Sequence, residues 1–222
     1  MSRFAWRYGW RAALAPVVLA GLVGAPGAPA AAHSPAPPSV AVPRDQIRVV
    51  GGEHCGKPEA LTVEVSPDFT ELYFLYPQLK VSAPAIGTRA AGRCDIALRL
   101  DVTPGWQVRL TDLRIQGQST LSAGSVGTAA ASILLGDAGK QQRISAAVRV
   151  PGPTAAGGWD AVSESATGEP PCDSSVTMQV NTEVTSTWSS MDSGVAHMSM
   201  TTAATGVRGA NTASLYYQRC RR

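Results

Sequence analysis

From residue 61 onward the apolar residues recur at every second position, in short runs closed by Gly, Pro, Ser or Asp. That period matches an extended strand, whose successive side chains point to opposite faces, and conflicts with the 3.6-residue period of a helix. Leu61, Val63 and Val65 alternate with Thr62 and Glu64, and after Ser66-Pro67-Asp68 comes the aromatic and apolar stretch 69–76, so a hairpin is predicted there. Ile96, Leu98, Leu100 and Val102 alternate with Ala97, Arg99 and Asp101, Pro104-Gly105 turns the chain, and Trp106, Val108 and Leu110 open the next run. This is predicted as a second hairpin. Stretches 144–150, 176–184, 195–201 and 214–219 repeat the format. The stretch 125–135 is apolar enough for a helix or a buried strand and is assigned as strand. Eight or more short strands without a convincing helix predict an all-β chain folded as an antiparallel sandwich or barrel, with the sandwich as the assignment.

The N-terminus has a different composition. Arg3, Arg7 and Arg11 form a basic start, residues 12–23 are apolar, and Ala30-Ala31-Ala32 offers a cleavage site before His33. Residues 1–32 therefore read as a signal peptide for export, and the expected location of the mature protein is extracellular. A membrane span needs about 20 uninterrupted apolar residues, and Pro16, Pro26 and Pro29 interrupt this run, so no membrane anchor is expected after cleavage. Residues 33–47, with Pro35, Pro37, Pro38 and Pro43 among small residues, read as a solvated linker, and 48–222 as one secreted domain.

Removing residues 1–32 takes away three arginines and no acid, so the formal charge of +3 falls to zero. A balanced chain whose Arg219, Arg221 and Arg222 look like a solvated end gives little electrostatic support to a nucleic-acid groove, and no nucleic-acid partner is expected.

Four cysteines, Cys55, Cys94, Cys172 and Cys220, follow the export signal. In a secreted domain they read as two disulfides. Four cysteines allow three pairings, and the sequential one, Cys55 to Cys94 and Cys172 to Cys220, ties strand ends together. Each bridge would then close a loop long enough to contribute roughly 4 kcal/mol through the entropy of the unfolded chain.

The Gly-rich approach to Cys55, "VSPDFTEL" at the first hairpin, "RCDIALRLDVTPGW" around Cys94, Gly152-Pro153, "PPC" at Cys172 and "SLYYQRC" at the end resemble the domain of unknown function 4360 family, from Val50 to Cys220. The resemblance implies a small secreted β domain with four similarly placed cysteines, and it supplies no catalytic residue to carry over. One departure is visible: Tyr216 and Tyr217 stand where the family pattern leads one to expect a tryptophan near the last cysteine.

Sharper chemistry fares poorly. Arg48-Val49-Val50-Gly51-Gly52 looks like a chymotrypsin-type activation site and Met191-Asp192-Ser193-Gly194 faintly like its nucleophile loop, but His33 lies upstream of the supposed cleavage and no triad assembles. His197, Met198 and Met200 suggest a soft metal site until alternation puts His197 on one strand face and the methionines on the other. His54 cannot pair with Cys55 on zinc if Cys55 is in a disulfide. Asp95, Asp101, Glu164 and Glu183 are acids that no spacing selects for glycoside hydrolysis, whose carboxylates must face each other about 5 to 9.5 Å apart. No catalytic residue, metal or cofactor is assigned. Trp106, Trp159, Trp188, Tyr216 and Tyr217, with Tyr73 and Tyr76, could stack on sugar rings if exposed along one sheet face, or fill the core. The Ser- and Thr-rich stretch 174–205 offers a polar sheet surface. The reading that follows is a non-enzymatic extracellular binding or structural module whose partner is a cell-wall polysaccharide or an extracellular protein. The alternative is a hydrolase acting on such a polymer.

Overall fold

The architecture is described from a computed structural model, for residues 37–57, 61–84, 87–137, 139–163, 165–188, 194–200 and 211–221. The signal peptide, Glu164, Ser193 and the far end of the Ser/Thr-rich stretch lie outside the described residues. In chain order the strands are β1 (Val40–Ala41), β2 (Arg48–Gly51), β3 (Thr62–Val65), β4 (Glu71–Leu75), β5 (Lys80–Ala83), β6 (Arg89–Val102) and β7 (Trp106–Leu121). There follow β8 (Ser125–Leu135), β9 (Gln142–Pro151), β10 (Thr154–Ser163), β11 (Thr167–Gly168), β12 (Ser175–Trp188), β13 (Ala196–Ser199) and β14 (Asn211–Arg219). They form two antiparallel sheets packed as a sandwich, as the period predicted.

The first sheet runs β1-β6-β12-β8-β9-β11, with β2 also on β6. Val40 pairs with Val102 and Val49 with Ile96, so β1 and β2 lie end to end along one edge of β6. The Pro-rich segment, read from its composition as a solvated linker, thus contributes to the sheet from Val40, which is buried. In the second sheet two strands share one edge of β7. On β7, β14 covers residues 106–115 and β13 covers 118–121, while β4 and β5 continue alongside and β10 takes the far edge.

The first predicted hairpin is present: β3 and β4 pair from Thr62 opposite Leu75 to Val65 opposite Leu72. The second is not. β6 and β7 lie in different sheets, and Pro104-Gly105 carries the chain across the sandwich. The reason is edge occupancy. β6 is paired on one side with β12 and on the other with β1 and β2, so β7 finds its partner in β14, from Trp106 opposite Arg219. A tight turn between alternating runs specifies a reversal of direction and leaves open whether the runs bond side by side or face each other across the core.

Between the sheets, Leu98, Leu100, Val180, Met178, Ile133 and Ile144 meet Leu72, Phe74, Val108, Leu113, Ile115 and Met198 in one core. The alternation slips in β7, where Leu110 and Leu113 are both buried although three positions apart. A bulge absorbs the slip: Ser214 pairs with Asp112 and Leu215 with Leu110, leaving Thr111 extra. Gln142, buried at the start of β9, crosses the sandwich to this point. Its Oε1 accepts from the Leu110 N–H at 2.7 Å and its Nε2 donates to the Leu110 carbonyl at 3.0 Å.

The disulfides are Cys55–Cys94 and Cys172–Cys220, closing 39 and 48 residues. Cys94 lies within β6 and is buried with Cys55, whereas Cys172 is exposed. The Gly51-Gly52 pair serves this packing. A Cβ on Gly51 would stand 2.9 Å from Asp95 Oδ2, and one on Gly52, whose φ is +93°, would stand 2.1 Å from the Arg93 carbonyl oxygen. Only glycine lets the chain lie this close to β6.

Candidate functional site

The aromatic residues are not gathered into an exposed row. Trp159 is buried over Gly117, where a Cβ would come within 2.4 Å of its ring. Trp188 is buried with Leu121 and Ala196, and Tyr76 is buried with its hydroxyl on Thr182 Oγ1 at 3.0 Å. Trp106 carries the Arg219 guanidinium over its ring at 4.3 Å. Tyr217 is half-buried and donates to the Phe69 carbonyl at 2.6 Å, while Tyr73, also partly buried, donates to Glu71. Tyr216 is the exposed member, 57% accessible. The face that packs the core claimed most of the aromatic area, which is where its burial contributes most.

Of the sequence-selected acids that are described, Asp95 and Glu183 both lie next to Arg93 and Asp101 is apart beside Arg99. Asp101 accepts from Arg99 Nε at 3.1 Å and Asp95 from Arg93 Nε at 2.7 Å. Met198 and Met200 are buried, while His197 is half-buried beside Ser82 Oγ at 2.9 Å, the face split that alternation requires. Among the described residues no group of three or more His, Cys, Asp or Glu is placed to hold a metal ion.

A depression of about 440 Å³ does form on the outer face of the first sheet. Two cross-strand rows build it. One places Arg93 beside Glu183, then Ala130 and Ala147; the next places Asp95 beside Asn181, then Ser132 and Ser145. All eight are on the outer face of β6, β12, β8 and β9, and their alternate neighbours are in the core. Alanine and serine at four adjacent outward positions leave the sheet low in the middle, and long polar side chains rise around it: Arg93, Glu183, Asn181 and, from the third row, Arg143. The result is a trough with a small-residue floor and polar walls.

The walls are partly fixed. Glu183 Oε1 is 3.8 Å from Arg89 Nη2, and the hydrogen bond to Asp95, aided by its charge, pushes the Arg93 guanidinium further above its ordinary value. Asp95 is itself buried beneath the close-lying Gly51. The trough offers two guanidinium forks, an amide, two hydroxyls and a carboxylate, a set that exchanges hydrogen bonds with hydroxyl-rich ligands. The sequence contained the outward Ala and Ser of β8 and β9, but their juxtaposition depends on four strands from three distant stretches of chain.

A sequence profile for a domain of unknown function, DUF4360, matches residues 46–220. The chain belongs to the DUF4360 family. That match covers every strand of this DUF4360 domain except β1, and both disulfides. No curated protein matches the sequence. Among solved structures, one of TmCBM61 in complex with beta-1,4-galactotriose aligns at 10% identity over 82% of this chain and 88% of that one, with a TM-score of 0.21. A superposition at that score transfers neither fold nor ligand to the DUF4360 domain.

Proposed function

We propose that this DUF4360 protein is a non-enzymatic binding module that works outside the cell and holds a polysaccharide against the trough of its first sheet. The observation that carries the reading is the trough itself, where Arg93, Asn181, Glu183, Arg143, Ser132 and Ser145 converge over an alanine floor. Sugar hydroxyls donate and accept, and they are matched best by side chains that do both or that present forks. The export-type N-terminus supports the extracellular setting.

Hydrolysis fits this geometry less well. The paired-carboxylate mechanism needs two facing carboxyls, and Glu183 is the one acid among the described lining residues, held beside Arg89, while Asp95 in the neighbouring row is buried and tied to Arg93. The same trough favours a sugar polymer over a protein partner, because its centre is polar and small-sided, without the aromatic or aliphatic anchor that hot spots of protein interfaces use.

The test is co-sedimentation of the mature, oxidised domain with insoluble cell-wall, plant and fungal polysaccharides, with reducing sugar assayed in the supernatant. Pelleting without sugar release is expected for at least one polymer. Ser132→Trp, which fills the floor from the solvent side, should cut the pelleted fraction at least about tenfold. Release of sugar would sink the non-enzymatic reading, and unchanged pelleting by Ser132→Trp would remove the trough as the site.

A further inference from the structure

A second cleft, of about 710 Å³, lies where the β8–β9 turn and the segment before Cys172 close around the beginning of β7 and the end of β14. Its described lining carries four cations, Arg109, Lys140, Arg219 and Arg221, against one acid, Glu169. The domain as a whole is formally balanced once residues 1–32 are set aside, so this is a local concentration of charge, assembled from positions 109, 140, 219 and 221. Like charges brought together raise one another's electrostatic energy unless an anion joins them.

The cleft is also built to keep its shape. The Cys172–Cys220 disulfide joins the two walls, and Gln107 Nε2 donates to the Pro170 carbonyl at 2.5 Å. Gly168, with φ +87°, packs so close that a Cβ would stand 2.1 Å from the Gln141 carbonyl oxygen. Two of the cations are held in place. Arg109 Nη1 donates to Gln218 Oε1 at 3.3 Å, and Arg219 lies over Trp106. A guanidinium held by its face directs its N–H edge outward, the geometry that grips a planar or tetrahedral oxyanion with two parallel hydrogen bonds.

We infer that this cleft is a binding site for the anionic groups of an acidic polysaccharide. Gln107 and Gln218 line the same cleft, and their amide atoms other than the Gln107 Nε2 and Gln218 Oε1 engaged above suit the hydroxyls of such a polymer. A nucleic acid fits less well, because single strands bind such grooves by stacking bases on aromatic rings and one face of Trp106 is covered by Arg219. The inference does not depend on the trough, and the two sites are separable by mutation.

The experiment is affinity electrophoresis of the oxidised domain through gels containing polygalacturonate, dextran sulfate or neutral dextran. Retardation by at least one acidic polymer beyond that by dextran is expected, weakening about tenfold or more between about 50 and about 200 mM salt. Retardation by polygalacturonate alone assigns carboxylates, by dextran sulfate alone sulfate esters, and by both a general oxyanion site. The double variant Lys140→Gln, Arg221→Gln changes two exposed side chains and should lose at least about tenfold in affinity, whereas Ser132→Trp should retain it. Arg219→Lys, which keeps the charge and loses the fork, should lie between. No retardation by either acidic polymer at the lower salt would overturn the proposal, as would full affinity in the double variant or tighter retention by a single-stranded DNA oligonucleotide.

Discussion

Gln142 shows how a single polar side chain can satisfy backbone groups beyond the end of a neighbouring ladder. The β10 ladder covers β7 only from Leu113 to Leu121, and at the buried Leu110, beyond it, the Gln142 amide satisfies both the N–H and the C=O. Gln142→Leu should therefore destabilise by at least about 2 kcal/mol, since two buried backbone groups lose their partners. Urea unfolding monitored by circular dichroism measures this, and a loss below about 0.5 kcal/mol would mean the Leu110 groups find other partners. Gly117 is a steric counterpart. A Cβ there would stand 2.0 Å from the Ser199 carbonyl oxygen as well as against Trp159, so Gly117→Ala should cost about 1–3 kcal/mol or more. Tyr217 links a residue to pH: burial first, and the Asp68 charge second, push its phenol up to about 12. Because the unfolded chain releases that proton near 10.0 and the folded one near 12, the contribution is intact below pH 10 and is lost as pH rises through 12. Tyr76, raised further by burial, adds to the same trend. Melting curves should fall across that window, and Tyr217→Phe should flatten part of the fall.

At the scale of elements, the two disulfides have unlike settings. Cys55–Cys94 is buried against the core strands, and Cys172–Cys220 sits at the mouth of the basic cleft with Cys172 exposed. Access of the attacking thiolate controls exchange. Under native conditions, limited reduction followed by alkylation should label Cys172 and Cys220 before Cys55 and Cys94, and the reverse order in peptide mapping would contradict the burial. Each loop carries roughly 4 kcal/mol in the chain-entropy account, so removing either pair by Cys→Ser should lower the midpoint in urea. Removing Cys172–Cys220 should in addition weaken acidic-polymer retention, because that bridge joins the cleft's walls. The edge strand β1 is a third element to test. Starting the domain at Arg44 instead of Pro37 removes its pairing with Val102 and exposes part of the core that Val40 covers. That truncation should lower the melting temperature, and an unchanged value would return the segment to a spacer.

For the whole molecule, the sandwich leaves two polar features in different places: a hydrogen-bonding trough on the outer face of one sheet, and a cationic cleft at the start of β7 and the end of β14. Together they outline a module that could hold a polymer at two kinds of group, hydroxyl and anion. If both sites act on one chain, a polymer bearing both groups should bind more tightly than either site alone allows, since the second contact is intramolecular. Comparing the affinity of Ser132→Trp, of Lys140→Gln with Arg221→Gln, and of the combined variant for one acidic polysaccharide measures this. Additive losses would mean that the sites act independently.

Alternation at 61–65 and 96–102 was enough to determine strands, because half-buried extended backbone demands period two, and Gly, Pro and Asp ended them where the chain must turn, whereas the largely apolar 125–135 became a strand through its ladders with β12 and β9. The cysteine spacing likewise pointed to the pairing that the fold adopts. Strands whose partners are remote were harder to see: β10, rich in Ala and Gly, and the two-residue β1 have little pattern of their own and exist through their ladders with β7 and β6. The tertiary structure decided that β6 and β7 face each other instead of pairing, since only the occupied edges of β6 exclude β7. It also decided the sites. Arg109, Lys140 and Arg221 are unremarkable in the sequence, as are Ser132 and Asn181, and they become a cleft and a trough because cross-strand register sets which distant side chains share a face.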